Sequence, residues 1–172
     1  MSITAKLEPL PYSDNLEDEE GQLYRNLEIK MQQMGYLVPY REELNWKENI
    51  QNIDLGDQHA LLGLKKAAAK NDRVLLFYAK LLKGTVYQNI ILHPNNEGIY
   101  LPFHFEKPFT LNIKGKKLWI GSSSRLSEEL SWLKMSIEQE NHSKEVISYW
   151  KNLRKAAEVS VENVSPIVIR KS

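Results

Sequence analysis

The feature that most constrains this chain is a run of apolar, strand-prone residues between positions 73 and 108. Gly84 and the pair Asn95 and Asn96 interrupt the run and leave three strand-like segments, at 73–82, 85–94 and 98–105. An almost wholly apolar first segment is typical of a strand covered on both faces. Short breaks containing Gly or Asn favour hairpin turns. The sequence therefore predicts a sheet built from the central third of the chain.

Periodic apolar residues outside this run predict helices at 22–34, 58–70, 125–140 and 143–159, where leucine and other apolar residues recur every three or four positions. Further short strands are predicted at 110–113, 117–120 and 167–169. The predicted fold class is α+β: a mostly antiparallel sheet from residues 73–120, packed against amphipathic helices from the N- and C-terminal thirds.

A length of 172 residues predicts one domain spanning 1–172. Residues 1–12 are predicted to form an extended arm, because Pro9 and Pro11 flank Leu10. A weak internal repeat of helix, helix and strand is also suggested. Leu64 to Ala68 and Leu153 to Ala157 are similar in sequence, and each precedes an apolar segment.

The composition excludes several classes of site. The chain has no cysteine, which removes disulfides and thiolate metal sites. Its longest apolar run, 74–79, is far shorter than the roughly 20 residues that span a bilayer. A net charge of +1 gives no overall attraction to nucleic acid or to an anionic membrane. We therefore predict a cytoplasmic protein with no membrane association and no cofactor, for which nucleic-acid binding is unlikely.

The strongest candidate for a ligand site is the start of the clearest helix. A strand is followed there by Gly121, Ser122, Ser123, Ser124 and Arg125. The first turn of a helix presents unpaired N–H groups, and hydroxyls with an arginine add donors for an anion. The alternative is that a serine simply caps the helix.

Three residues are candidate metal ligands: His93, His104 and Glu106. Two histidines and one carboxylate form a known ligand set. Their spacing is long, however, and a half-buried histidine with a backbone partner explains them as well. We predict no metal.

Three tryptophans, Trp46, Trp132 and Trp150, are predicted as interface residues because tryptophan is enriched in binding anchors. Charged segments offer further alternatives. Five acidic side chains between positions 14 and 20 fit a solvated helix start or a surface that binds a cation or a basic partner. Basic residues between 65 and 83, near Tyr78 and Tyr87, fit a solvated helix face or a single-stranded nucleic-acid surface.

No diagnostic catalytic motif is present, which argues against an enzyme. The predicted function is a non-catalytic intracellular binding or regulatory protein that acts through protein–protein contacts, with an unknown protein partner or a second copy of itself. The alternative is a protein or enzyme that binds a small anion or phosphorylated ligand at residues 121–125.

Overall fold

Within the residues that the computed structural model describes, 1–11, 13–35 and 49–172, six strands form one mixed sheet. The strands are β1 (Ser2–Leu7), β2 (Gln51–Asp57), β3 (Gly98–Leu101), β4 (Phe109–Ile113), β5 (Lys116–Ser122) and β6 (Ile167–Lys171). The helices are α1 (Glu19–Gln33), α2 (Gln58–Asn71), α3 (Leu76–Leu82), α4 (Ser123–Trp132), α5 (Lys134–Gln139) and α6 (Lys144–Asn163), and a π-helical turn occupies Gln88–Leu92.

The strand order across the sheet is β2-β1-β6-β3-β5-β4. All neighbouring pairs are antiparallel except β3 and β5, which run parallel. Strand β6 pairs with β1 on one side and with β3 on the other. The predicted α+β class with a mostly antiparallel sheet is therefore confirmed.

Two hydrophobic cores lie on opposite faces of this sheet. Alternation along β6 separates them, because Ile167 and Ile169 face one core while Val168 faces the other. Helices α2, α4 and α6 cover the first face, and α1 packs on the second. Each face of the sheet is thus paired with its own helices.

The sheet does not use the first two of the predicted central strands. Residues 76–82 form helix α3, and residues 88–92 form the π-helical turn. Leu, Ala and Lys favour a helix as strongly as any residues do, and an apolar run without a period of two does not distinguish strand from helix. Buried polar contacts from other elements fix the π-helical turn, as described below.

Two segments that were assigned no regular structure are strands instead. The predicted arm contains β1, whose Ile3, Ala5 and Leu7 point inward in strict alternation. Residues 51–57, for which the sequence pattern predicts no helix or strand, form β2. The suggested internal repeat is not seen, because the segment after Leu64 to Ala68 leads into helix α3 rather than a strand. Organisation of residues 1–172 as one domain stays a prediction.

Helices α2 and α6 approach each other closely at Gly63. A Cβ added at Gly63 would lie 2.4 Å from Cγ2 of Val146. We expect Gly63→Ala to destabilise the protein by about 1–3 kcal/mol in denaturant unfolding, because an overpacked contact must be relieved by movement. Combining it with Val146→Ala removes the clashing methyl group. The double variant should therefore lose less stability than the sum of the two single changes, and strict additivity would contradict this explanation.

Candidate functional site

The structure brings the five residues of the predicted anion site together at the junction of β5 and α4. The Ser122 hydroxyl caps α4 by accepting a hydrogen bond from the Arg125 N–H at 3.1 Å, and it lies 2.5 Å from the Phe103 carbonyl. The Ser123 hydroxyl donates to the Leu101 carbonyl at 2.9 Å. Both serines are fully buried. Their hydroxyls are thus engaged within the protein.

The other members of this set also have internal contacts. The Arg125 guanidinium lies 4.7 Å from the ring centroid of Trp132 and donates to the Val86 carbonyl at 3.3 Å. A Cβ added at Gly121 would lie 2.4 Å from the Tyr100 ring. The glycine is therefore needed so that Tyr100 can pack against the strand. Ser124 is half-buried at the start of the helix.

A buried carboxylate, Glu129, lies one turn further along α4. It accepts hydrogen bonds from the backbone N–H groups of Asn89 and Ile90 at 2.9–3.0 Å, and from the Asn89 side chain at 3.1 Å. Burial raises the pKa of Glu129 to about 7, although these hydrogen bonds and the charge of Arg125 act in the opposite direction. Glu129 thus fixes the beginning of the π-helical turn.

Lys65 forms hydrogen bonds with the C-terminal end of the same π-helical turn. Its ammonium group donates to the carbonyls of Ile91 and His93 at 3.2 and 2.7 Å. Burial lowers the pKa of Lys65 to about 7. Sequence reasoning missed Glu129, although its position three residues after Leu126 and four before Leu133 places it on the buried stripe of α4. Lys65 was missed in the same way, although it lies four residues after Leu61 and three before Ala68, on the buried stripe of α2.

Asn95 forms a second buried polar centre beside the turn. Its side-chain amide donates to the carbonyls of Asn89, Ile90 and His93 at 3.0–3.1 Å, and its side-chain oxygen accepts from the Tyr100 hydroxyl at 2.5 Å. The Tyr149 hydroxyl donates to the backbone carbonyl of Asn95 at 3.0 Å. These contacts tie the turn to β3 and α6.

The metal candidates are not brought together as a ligand set. His93 is fully buried, stacks on Tyr100 with ring centroids 4.3 Å apart, and has its pKa lowered to about 3 by burial. His104 is exposed, and its Nε2 lies 3.4 Å from the Glu128 carboxylate. The backbone carbonyl of Glu106 accepts from the Asn89 side chain. In the described part of the chain, no group of three or more potential ligands could hold a metal ion.

The predicted interface tryptophans have different environments. Trp150 is buried, and its ring N–H donates to the Leu130 carbonyl at 2.9 Å. The wide apolar stripe of α6 buries this ring, and its interface role stays a prediction. Trp132 is 45% exposed and contacts Tyr87 edge-on. Its interface role stays a prediction. Trp46 lies outside the described residues.

A densely acidic exposed stretch lies at residues 14–20, which we call the acidic segment. It contains Asp14, Glu17, Asp18, Glu19 and Glu20, and every one of these side chains is exposed. Ser13 and Asn15 donate to the Asp18 carboxylate at 2.8 and 3.3 Å, which orders the turn before α1. The acidic segment therefore presents its carboxylates at the start of a packed helix.

A cleft of about 600 Å³ lies beside the acidic segment, between α1 and the β4–β5 hairpin. Glu19, Glu20 and Glu97 line it together with Lys116 and Lys117. Glu19 and Lys116 are 3.8 Å apart and highly exposed, so their mutual attraction is weak. Glu97, just before β3, thus shares the cleft with Glu19 and Glu20 of α1, and two lysines of β5 line it as well.

Charge is distributed unequally along the chain. The first 53 residues carry ten acidic and five basic side chains, whereas the remaining residues carry twelve and eighteen. Fold and charge together define a small α+β protein with a locally acidic surface on a nearly neutral whole.

The comparison with known protein families matches residues 54–169 to the family described as "Putative DNA-mimic protein". The match covers about two-thirds of the chain, and the chain therefore belongs to this family. A search of curated proteins and a search of solved structures each give no match. Among the described residues, no helix has the length and apolar character needed to cross a membrane.

Family membership corrects the predicted function and partner. The predicted function was a general binding or regulatory protein, with an unknown partner or a second copy of itself. This prediction is wrong, because the family to which the chain belongs is described by imitation of DNA. The small-anion alternative at residues 121–125 is overturned by the same finding. The near-neutral composition led to these errors, because a net charge of +1 gave no indication of a family described in these terms.

Proposed function

We propose that this protein binds a DNA-binding protein by presenting carboxylates where that protein would contact DNA phosphates. The observation that carries the proposal is the family match over residues 54–169. The intended partner is therefore a protein with a basic DNA-contacting surface. Because the protein must share a compartment with this DNA-binding partner, we propose a cytoplasmic location.

We assign the DNA-like surface to the acidic segment, which precedes the matched residues 54–169, and to Glu97, which lies within them across the neighbouring cleft. Double-stranded DNA carries one negative charge per about 1.7 Å of its axis, counting both strands. Only a dense local array of carboxylates can approach that density, and five of the seven residues at 14–20 are acidic. A net charge of +1 is compatible with this role because screening confines charge recognition to roughly 10 Å.

The geometry of the segment supports recognition by a basic surface. Hydrogen bonds to Asp18 order the turn, so ordering it on binding carries little additional entropic cost. Glu17, Glu19 and Glu20 are exposed and remain available to several cations at once. Binding should therefore be electrostatically driven and should weaken steeply with added salt.

The test is capture of proteins from a nuclease-treated lysate of the source organism on the immobilised protein, followed by elution with duplex DNA. We expect DNA-binding proteins to be retained and then displaced by the duplex. The variant with Glu17→Gln, Glu19→Gln and Glu20→Gln should retain at most about one tenth of the DNA-binding protein that the wild type retains, because three charged contacts are removed. Asp18 is left in place so that the turn keeps its hydrogen bonds.

A matched control carries Glu106→Gln, Glu138→Gln and Glu162→Gln, which remove the same charge from exposed positions elsewhere. This control should retain the same proteins as the wild type. Thermal melting of both variants checks that the fold is intact. Equal capture by the two variants, or captured proteins that duplex DNA does not displace, would reject the proposal.

A further inference from the structure

Helix α3 shows an unusual arrangement, because its apolar side chains point outward. Phe77 and Leu82 are 71% and 73% exposed, and Tyr78 and Leu81 are also more than half exposed. Ala79 is the residue of this helix that is buried in the core. A surface helix ordinarily turns such a stripe inward. We call the outward stripe, together with the exposed Leu75 before it, the α3 face.

The α3 face is large enough to form one side of a specific interface. An aromatic side chain buries about 150–250 Å², so Phe77 and Tyr78 alone leave roughly 200–300 Å² of apolar surface exposed. Leu75, Leu81 and Leu82 extend this surface. Contiguous apolar patches on monomers seldom exceed a few hundred Å², and patches of this size rimmed by charge mark interaction sites.

Basic residues surround the α3 face. Lys80 and Lys83 lie within and just after the helix, and both are exposed. A groove of about 400 Å³ between the end of α2 and the start of α3 is lined by Lys66, Lys70 and Arg73 together with apolar side chains. The nearby Asp72 accepts a hydrogen bond from the Val86 N–H. The chemistry complementary to this surface is apolar and acidic.

We propose that the α3 face binds an amphipathic segment of a second protein that carries acidic and apolar side chains. Three leucines favour a protein over single-stranded nucleic acid, whose bases would stack on aromatic rings alone. A helix of seven residues also presents little length for lying along a membrane surface. The charge of the α3 face is opposite to that of the acidic segment.

This second site is separate from the proposed DNA-like surface. Ala79 of α3 belongs to the core on one face of the sheet, whereas α1, which carries the end of the acidic segment, packs on the other. A protein with a basic DNA-contacting surface would be repelled by the lysines around the α3 face. The two sites therefore call for partners of opposite charge, and the molecule can bind both at once.

The test is selection from a random peptide display library on the immobilised full-length protein. We expect the enriched peptides to combine Asp or Glu with apolar residues at helical spacing. They should bind the Phe77→Ser, Leu81→Ser variant at least about tenfold more weakly, because both anchors are lost. Lys80→Glu with Lys83→Glu should also weaken binding, since the complementary charge is reversed.

The matched control, Leu16→Ser with Ile29→Ser, changes two exposed apolar residues at and near α1 and should leave peptide binding unchanged. No enrichment, enrichment of basic peptides, or equal binding to the Phe77 variant would overturn the proposal. Phe77-dependent binding of oligo(dT), or of phosphatidylserine vesicles, in place of the peptides would also overturn it. Retention of DNA-binding proteins should be unaffected in the Phe77 variant, which separates this test from that of the proposed function.

Discussion

Replacing Glu129 with alanine is expected to destabilise the protein by about 3–5 kcal/mol, because each buried polar group left unpaired costs about 1–3 kcal/mol. The change leaves the N–H groups of Asn89 and Ile90, and the Asn89 side chain, without their acceptor in a site closed to water. The measurement is denaturant unfolding followed by circular dichroism. The adjacent Glu128 is exposed, so Glu128→Ala should change stability by no more than about 0.5 kcal/mol. Similar losses at the two positions would contradict the assigned role of Glu129.

The same carboxylate should make stability depend on pH in a defined direction. Burial raises the pKa of Glu129 from its ordinary value of 4.5 to about 7, so between these values the native state holds a proton that the unfolded state has released. The contribution of Glu129 to the free energy of unfolding is fully present below pH 4.5 and is lost as the pH rises through 7. The total loss amounts to about 3 kcal/mol.

Glu129→Gln provides the reference for this dependence, because the amide does not titrate. We expect the stability of the wild type relative to this variant to fall between pH 5 and pH 8. A constant difference, or one that grows with pH, would show that Glu129 is ionised throughout this range.

Replacing Asn95 with alanine is expected to cost about 3–4 kcal/mol. The carbonyls of Asn89, Ile90 and His93 would lose the amide that now bonds to all three, and the Tyr100 hydroxyl would lose an acceptor. A buried polar group left unpaired costs about 1–3 kcal/mol. We expect the loss for Asn95→Ala to be smaller than the sum of these costs, because the surrounding structure can relax in part. The backbone φ of Asn95 is +62°, in the left-handed region that alanine occupies at an additional cost of about 1 kcal/mol.

Two further substitutions separate these contributions. Asn95→Gly removes the same hydrogen bonds without the backbone penalty, so it should be about 1 kcal/mol more stable than Asn95→Ala. Asn96→Ala changes the neighbouring residue, whose side-chain amide donates to the Gln58 side chain at an exposed position, and should be nearly neutral. Chemical unfolding of all three variants provides the comparison. A loss at Asn96 as large as that at Asn95 would argue against the buried network as the cause.

Local sequence signals predicted the long helices and the final strand, because their apolar residues recur with a clear period. They failed where other parts of the chain determine the conformation. Residues 88–92 contain strand-prone isoleucines, yet Glu129 and Lys65 hold them as a π-helical turn from distant positions. Strand β1 did carry an alternating pattern. The nearby prolines led to its assignment as an arm.

The surfaces were harder to predict than the fold. The acidic segment is visible in the sequence, but a solvated helix start explains the same residues, and only the family match favours imitation of DNA. The α3 face was predicted as a buried strand because Leu, Phe and Tyr are usually inside. A sequence shows that side chains are apolar, whereas their exposure depends on which neighbours cover them.

The position of β6 has a consequence for how the protein is made. Among the described residues, β6 is the only strand that joins the β1–β2 pair to strands β3, β5 and β4 in the sheet. During synthesis, the two halves must wait for residues 167–171 to leave the ribosome before they can unite. Until then each half has an unpaired strand edge, which is a site for aggregation. Assembly of the whole sheet is therefore expected to begin only after residues 167–171 have been synthesised, and its rate to be limited by pairing between residues far apart in the chain.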